Sequence, residues 1–294
     1  MYRFIPQKKR SRLRVTLGVA FYSTIRYFLW LRYSSLFAKK TKMTDEQIDK
    51  EFPFVTAEHS SPIFRNLSKE DTELQQGKAH NLSIAVKKLN GTVLKPGSIF
   101  SYWRLVGNPT FFKGYAKGMM LVNGKPVAKI GGGLCALSNL IYWMTLHSPL
   151  AVIERFRHSY DVFPDTNRTL PFGSGATCVY NYRDLMIKNN SSTSFILKVW
   201  IEDRKLCGQW RCNIPCPFRY EVYQKDHWIT AEIGNNYVRH NTICRKTFDA
   251  QTNQMLSDEQ ITENHALMMY EPLIASSSTK VHSIKKTQGT ILCP

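Results

Sequence analysis

Residues 130–163 read IGGGLCALSNLIYWMTLHSPLAVIERFRHSYDVF. Three glycines, Gly131, Gly132 and Gly133, lead into Leu134 and Cys135. From there Leu137, Leu140, Ile141 and Met144 recur at helical spacing, so residues 136–147 read as a buried helix. Ser148 and Pro149 end it, because the residue before a proline is pushed out of helical backbone. Residues 150–163 are apolar and β-branched at first and read as a strand carrying Arg155, Arg157, His158 and Asp161. A second strand is expected over residues 176–187, carrying Asp184.

Working outward, residues 77–89 form one wide apolar face with Gly91 as a stop, which predicts a helix. Residues 92–103 hold a Lys95-Pro96-Gly97 turn and a strand from Ile99. Residues 44–68 mix charge, Pro and Ser and read as irregular. Past residue 195 the pattern becomes a meander of strands at 195–201, 206–211, 218–224 and 227–233, with another over 237–247. Residues 261–270, which include Glu263-Asn264-His265, stay unassigned. The fold class expected is α+β: a glycine loop and central helix on an antiparallel sheet, a β-rich C-terminal half and an N-terminal basic helix. The implied division is a basic aromatic arm (1–42), a connector (43–75), a domain over 76–274 and a flexible tail (275–294). Within the domain, 76–190 form the Gly-Cys-His core and 191–274 the meander.

The glycine–cysteine junction suggests chemistry. A helix N-terminus presents unpaired N–H groups and partial positive charge, which stabilise a thiolate. Glycines let backbone approach closely and leave room around the sulfur. The chain order is then Cys135, helix, His158, Asp184. That order suits a nucleophile, a base and an orienting acid, with Asp161 as a substitute for Asp184. Arg155 and Arg157 are candidates for binding a substrate carboxylate, and Gly131, Gly132 and Gly133 for lining the site. The competing reading makes the glycines a tight turn, Cys135 a small buried residue and His158 a partner of Asp161. No strand–GxGxxG–helix unit and no Lys-Ser or Lys-Thr follows the glycines, which argues against a nucleotide loop.

The chain has 294 residues and a formal charge of +18. Eleven Lys or Arg and no acid fall within residues 1–42, so the remainder carries only +7 and gives little support to nucleic-acid binding. The arm starts basic and turns aromatic, like a signal sequence, but Arg26 and Arg32 interrupt it and no cleavage site is visible. Its two readings are an interfacial helix on an anionic membrane and a basic helix packed on the body. Seven cysteines and no cleavable signal favour free thiols and a cytoplasmic location, at the inner membrane face if peripheral. Cys207, Cys212 and Cys216 are spaced too loosely for a usual zinc site, and neither a metal nor a cofactor is expected.

The quoted segment, continuing through DTNRTLPFGSGATCVYNYRDLMIKNN, resembles the signature of the VanW family. LKPGSIFSYWRLVG upstream and ITENHALMMYEP downstream resemble it too, so the likeness runs from about residue 78 to 272. It implies a link to glycopeptide resistance and peptidoglycan, without a mechanism. The family usually has Gln after the Cys, where this chain has Ala136. If that Gln serves an oxyanion site, this member is weakened. Two hypotheses follow. One is a Cys/His-dependent acyl-transfer or amide-cleaving enzyme on peptidoglycan peptides. The other is a non-catalytic accessory module that binds a cell-wall precursor or a partner protein at the membrane surface.

Overall fold

The computed structural model describes residues 11–64, 72–122, 124–157, 159–162, 170–232 and 236–271. The fold is α+β, with antiparallel sheets and a β-rich C-terminal half. Five helices are present among the described residues: α1 (Arg12–Arg32), α2 (Asp45–Glu51), α3 (Thr72–Leu89), α4 (Tyr102–Val106) and α5 (Cys135–Leu146).

The largest sheet takes the order β1-β3-β10-β11-β2, from Lys39–Lys40, Thr92–Leu94, Phe195–Glu202, Lys205–Cys212 and Phe54–Pro62 respectively. Its centre is the β10–β11 hairpin, where Asp203 and Arg204 both adopt positive φ, as a two-residue turn matched to strand twist requires. A three-stranded sheet joins β4 (Ile99–Ser101), β9 (Met186–Lys188) and β7 (Ala151–Glu154). A hairpin pairs β5 (Lys117–Val122) with β6 (Lys125–Ile130). The fourth sheet takes the order β12-β13-β14-β8, from Phe218–Glu232, Asn236–Asp249, Met255–Met268 and Tyr160–Asp161.

The central helix begins one residue before its expected start and is buried nearly all round, as befits a helix inside a core. It lies against β11 and β2. Trp210 on β11, fully buried, donates its indole N–H to Thr145 Oγ1 at 3.1 Å. Gly208 lets the sheet come close: a Cβ there would press on Leu140 and Met144.

Several expectations are corrected. Residues 44–68 are not simply irregular, because 45–51 form α2, closed by a Thr44–Gln47 capping box, and 54–62 form β2, paired along β11. The strand expected over 150–163 splits into β7 and β8, which belong to different sheets. Only the end of 176–187 is a strand. Asn181 turns the chain with φ at 57°, in the left-handed region that Asn tolerates. The strands expected at 218–224 and 227–233 are one, bent by a bulge between Gln224 and Asp226. The unassigned 261–270 fall mostly in β14, whose polar outer half faces β13 charge to charge: Arg245 opposes Glu259 and Lys246 opposes Asp258. The flexible tail expected from 275 lies outside the described residues.

Three backbones meet at the glycine loop. A Cβ on Gly77 of α3 would collide with the Lys117 carbonyl of β5, and one on Gly118 of β5 with the Gly132 carbonyl. One on Gly132 would strike Gly118, and one on Gly133, where φ is +91°, would strike the Lys78 side chain. Asn81, fully buried on α3, clamps the junction through the Ala116 N–H (2.8 Å), the Ala116 carbonyl (3.0 Å) and the Gly132 carbonyl (2.9 Å). Gly132→Ala should therefore cost about 3 kcal/mol or more in urea unfolding, since backbone cannot yield to the methyl. Gly97→Ala, at a positive φ with open space around it, should cost only about 1 kcal/mol.

Candidate functional site

Cys135 is the first residue of α5, and no side chain caps that helix end. The turn before it is fixed from below: the buried Tyr102 hydroxyl donates to the Leu134 carbonyl at 2.9 Å. The residue as a whole is partly exposed, yet its thiol points inward, with Sγ 3.5 Å from the Cys178 carbonyl oxygen. Burial pushes the thiol upward from its ordinary value, against the pull of the Cys178 and Cys135 backbones toward the thiolate. The helix N-terminus was expected to lower it. Enclosure outweighs that effect here because desolvation penalises the charged form.

Cys178 and Asp184 share this neighbourhood. The Cys178 thiol is driven well above its usual range, first by burial and then by the facing Cys135 and Asp184. The Asp184 carboxylate accepts from the Ser101 hydroxyl at 2.5 Å, the Trp103 N–H at 3.0 Å and the Leu185 N–H at 2.9 Å. It thereby braces the first turn of α4, whose N-cap is Ser101 and whose first residue is Tyr102. Burial raises Asp184 to about 6, opposed by the Ser101 and Trp103 bonds. Tyr102 shows the same setting: burial raises it far above the usual phenol value, with Cys178, Cys135 and Asp184 adding to the effect. The fold thus brings Cys135 and Asp184 into one electrostatic neighbourhood and adds Tyr102 and Cys178, which were not singled out from the sequence as site residues.

His158 lies outside the described residues. Asp161 stands on β8, engaged with Arg239 at 3.2 Å and the Tyr270 hydroxyl at 2.7 Å. Arg155 is bound into the protein. It donates to the Gly175 carbonyl (2.9 Å), the Gly173 carbonyl and Thr262 Oγ1 (3.1 Å), and stacks over Tyr142 at 4.5 Å. With Asn139, whose Oδ1 accepts from the Ala176 N–H at 2.7 Å, it pins residues 173–178 against α5. Arg157, half-buried like Arg155, donates to the Glu263 carbonyl. The space beside Gly131, Gly132 and Gly133 is taken by Pro109, Gly118 and Lys78 of the protein itself.

The C-terminal sheet holds a second buried polar group that the sequence reading passed over. His240 and His265 face each other, Nδ1 to Nδ1, at 2.7 Å. One of these nitrogens must donate and the other accept, so the pair favours neutral rings. Burial and the facing His265 and His227 push His240 down to about 4. Arg239 on the same strand donates to His227 at 2.9 Å as well as to Asp161. The ENH sequence within 261–270 was the visible signal; its use appeared only once β13 and β14 were paired.

A VanW-like protein family model matches residues 77–211. The vancomycin B-type resistance protein VanW of Enterococcus faecalis is 35% identical over 161 residues, which cover 55% of this chain and 58% of the relative. The uncharacterised protein YoaR of Bacillus subtilis is 25% identical over 123 residues, covering 42% of this chain and 39% of the relative. The chain therefore spans about half the length of the curated relatives it matches. No solved structure matches it. The matched region contains the glycine junction, α5, Cys178 and Asp184 and ends on β11, before β12, β13 and β14, the long strands of the histidine sheet.

Two titrations test this geometry. Asp184 is raised in the folded state, so its contribution to stability is fully present near pH 4 and is lost as pH rises through about 6. Measured by urea unfolding, Asp184→Asn should therefore gain on the parent by up to about 3 kcal/mol between pH 3.5 and 7. His240 has the opposite sign: its contribution is full above about 6.5 and is lost as pH falls toward 4. Site-resolved alkylation of Cys135 should reach half its maximal rate above the ordinary thiol value of about 8.5 in the free protein.

Proposed function

From membership of the VanW family, carried by residues 77–211, we propose that this chain serves glycopeptide resistance by acting on peptidoglycan peptides or precursors through Cys135. The relative named as a vancomycin B-type resistance protein supports the biological setting. One observation carries the chemistry: a cysteine stands uncapped at a helix N-terminus beside Cys178 and Tyr102, both of which also feel the Asp184 carboxylate.

In this reading the Cys135 thiol gives its proton to His158, and the thiolate adds to a peptide carbonyl. The C–N bond breaks, the amine leaves with the proton returned from His158, and a thioester remains. An amine or water then releases the acyl group. The Ala136 and Leu137 N–H groups at the start of α5 already donate to the Gly133 and Leu134 carbonyls, so an oxyanion has to find its donors elsewhere, and Ala136 brings none of the amide that the family resemblance places there. Asp184 holds α4 and Tyr102 in place beneath the nucleophile, and Arg157 offers a cation for a substrate carboxylate.

The upward shift of the Cys135 thiol favours a second reading, in which the surface around Cys135 binds a precursor or partner without turnover. The two separate cleanly. If the enzyme reading holds, Cys135→Ala abolishes conversion of muropeptides, by about a thousandfold or more, while leaving thermal unfolding unchanged. Muropeptide binding by Cys135→Ser, with no turnover by the parent, would establish the accessory reading instead.

A further inference from the structure

Helix α1 is docked by one face over residues 22–30, while its first turns stand clear of the body, with Val15 and Val19 exposed as well. The docked face is specific. Arg26 forms an ion pair with Glu154 at 2.6 Å, Trp30 is buried with its carbonyl accepting from Arg104 at 3.0 Å, and the Ser23 carbonyl accepts from Asn181 at 3.3 Å. Tyr22 and Tyr27 meet Tyr182 and Tyr180 beside it. Arg26 breaks the apolar run in the sequence, but on the folded chain it is turned into the body and paired.

The opposite face is apolar and open. Leu13, Leu17, Phe21, Phe28 and Leu31 are 70%, 60%, 62%, 63% and 77% exposed. At about 100° per residue these five side chains fall within an arc of about 80°, turned away from Ser23, Arg26 and Trp30. Arg14 and Arg32 sit together at one edge of that arc, by the same geometry. The flanking sequence completes the pattern: residues 1–42 contain eleven basic residues and no acidic one. No helix among the described residues is long and apolar enough to cross a membrane.

We propose that α1 seats this protein on an anionic lipid bilayer, lying in the plane of the interface with the Leu13–Leu17–Phe21–Phe28–Leu31 stripe inserted below the headgroups. Charge complementarity selects this occupant. A stripe bordered by cations and free of acids repels a second copy of itself, whereas anionic headgroups pair with Arg14 and Arg32 while the acyl region takes the leucines and phenylalanines. The tyrosines and the buried tryptophan side stay at headgroup level and above, so the ion pair with Glu154 fixes which way the body faces from the surface. This inference is independent of whether Cys135 turns over a substrate.

The test is flotation of the full chain with vesicles, either phosphatidylglycerol mixed with phosphatidylcholine or phosphatidylcholine alone. The parent should float with the mixed vesicles and much less with the neutral ones, and raising salt from about 0.1 to about 0.5 M should weaken binding. Leu17→Ser combined with Phe21→Ser and Phe28→Ser should lower the partition constant by about a hundredfold with an unaltered melting temperature. Arg14→Gln with Arg32→Gln, which leaves the stripe and the other basic residues of the arm intact, should reduce the preference for anionic vesicles. Unchanged flotation of the triple variant would overturn the proposal. So would a parent that ignores vesicles and sediments as a dimer that the triple variant turns into a monomer, since the stripe would then be a seam between copies.

Discussion

The junction at Gly77, Gly118 and Gly132 is the constraint from which the rest of the molecule is arranged. α3, the β5–β6 hairpin and the glycine loop approach closer than any side chain permits, and Asn81 ties two of them with three hydrogen bonds. Because these contacts are backbone to backbone, they leave little freedom in where the loop delivers Cys135. The glycines therefore serve positioning within the protein: the surface they offer so closely is taken by β5 and α3.

A second layer of fixing surrounds the thiol. Tyr102 holds the turn before Cys135, Asp184 holds the helix that carries Tyr102, and Arg155 with Asn139 holds the segment that carries Cys178. Each of these groups is bound within the protein on several sides. An environment of this kind is rigid but electrostatically expensive for a charge, which is why the thiol moves up while the helix end would move it down.

The polar group in the C-terminal sheet shows the same economy by another means. Asp161, Arg239 and His227 form one chain of contacts, and His240 with His265 forms another alongside it. Arg155 reaches from the segment beside α5 to Thr262 on β14, one of several links between the two halves of the domain, among them the Trp210–Thr145 bond and the β3–β10 pairing. The boundary expected near residue 190 is thus crossed by specific bonds.

How much was legible in the sequence follows from the range of the forces involved. Periodicity is local, so α5, α3 and the β10–β11 hairpin could be read directly: their apolar spacing and turns act over a few residues. So could the α+β class and the family resemblance, which was read over about residues 78–272 where the family model matches 77–211. Charge runs misled where pairing supplied the partner. Lys225-Asp226 separated two expected strands and is a bulge within one, and the acidic start of β14, which no expected element covered, is a ladder opposite Arg245 and Lys246. Arg26 looked like an interruption of an apolar arm, and only Glu154, 128 residues away, turns it inward and leaves a clean stripe outside. The sequence by itself determined that a cysteine would open a buried helix behind flexible backbone, because that depends on neighbours in the chain. Whether the thiol rises or falls in acidity, what Asp184 and Arg155 bind, and which face of α1 stays open depend on groups brought together from distant positions. Those the tertiary structure alone decided.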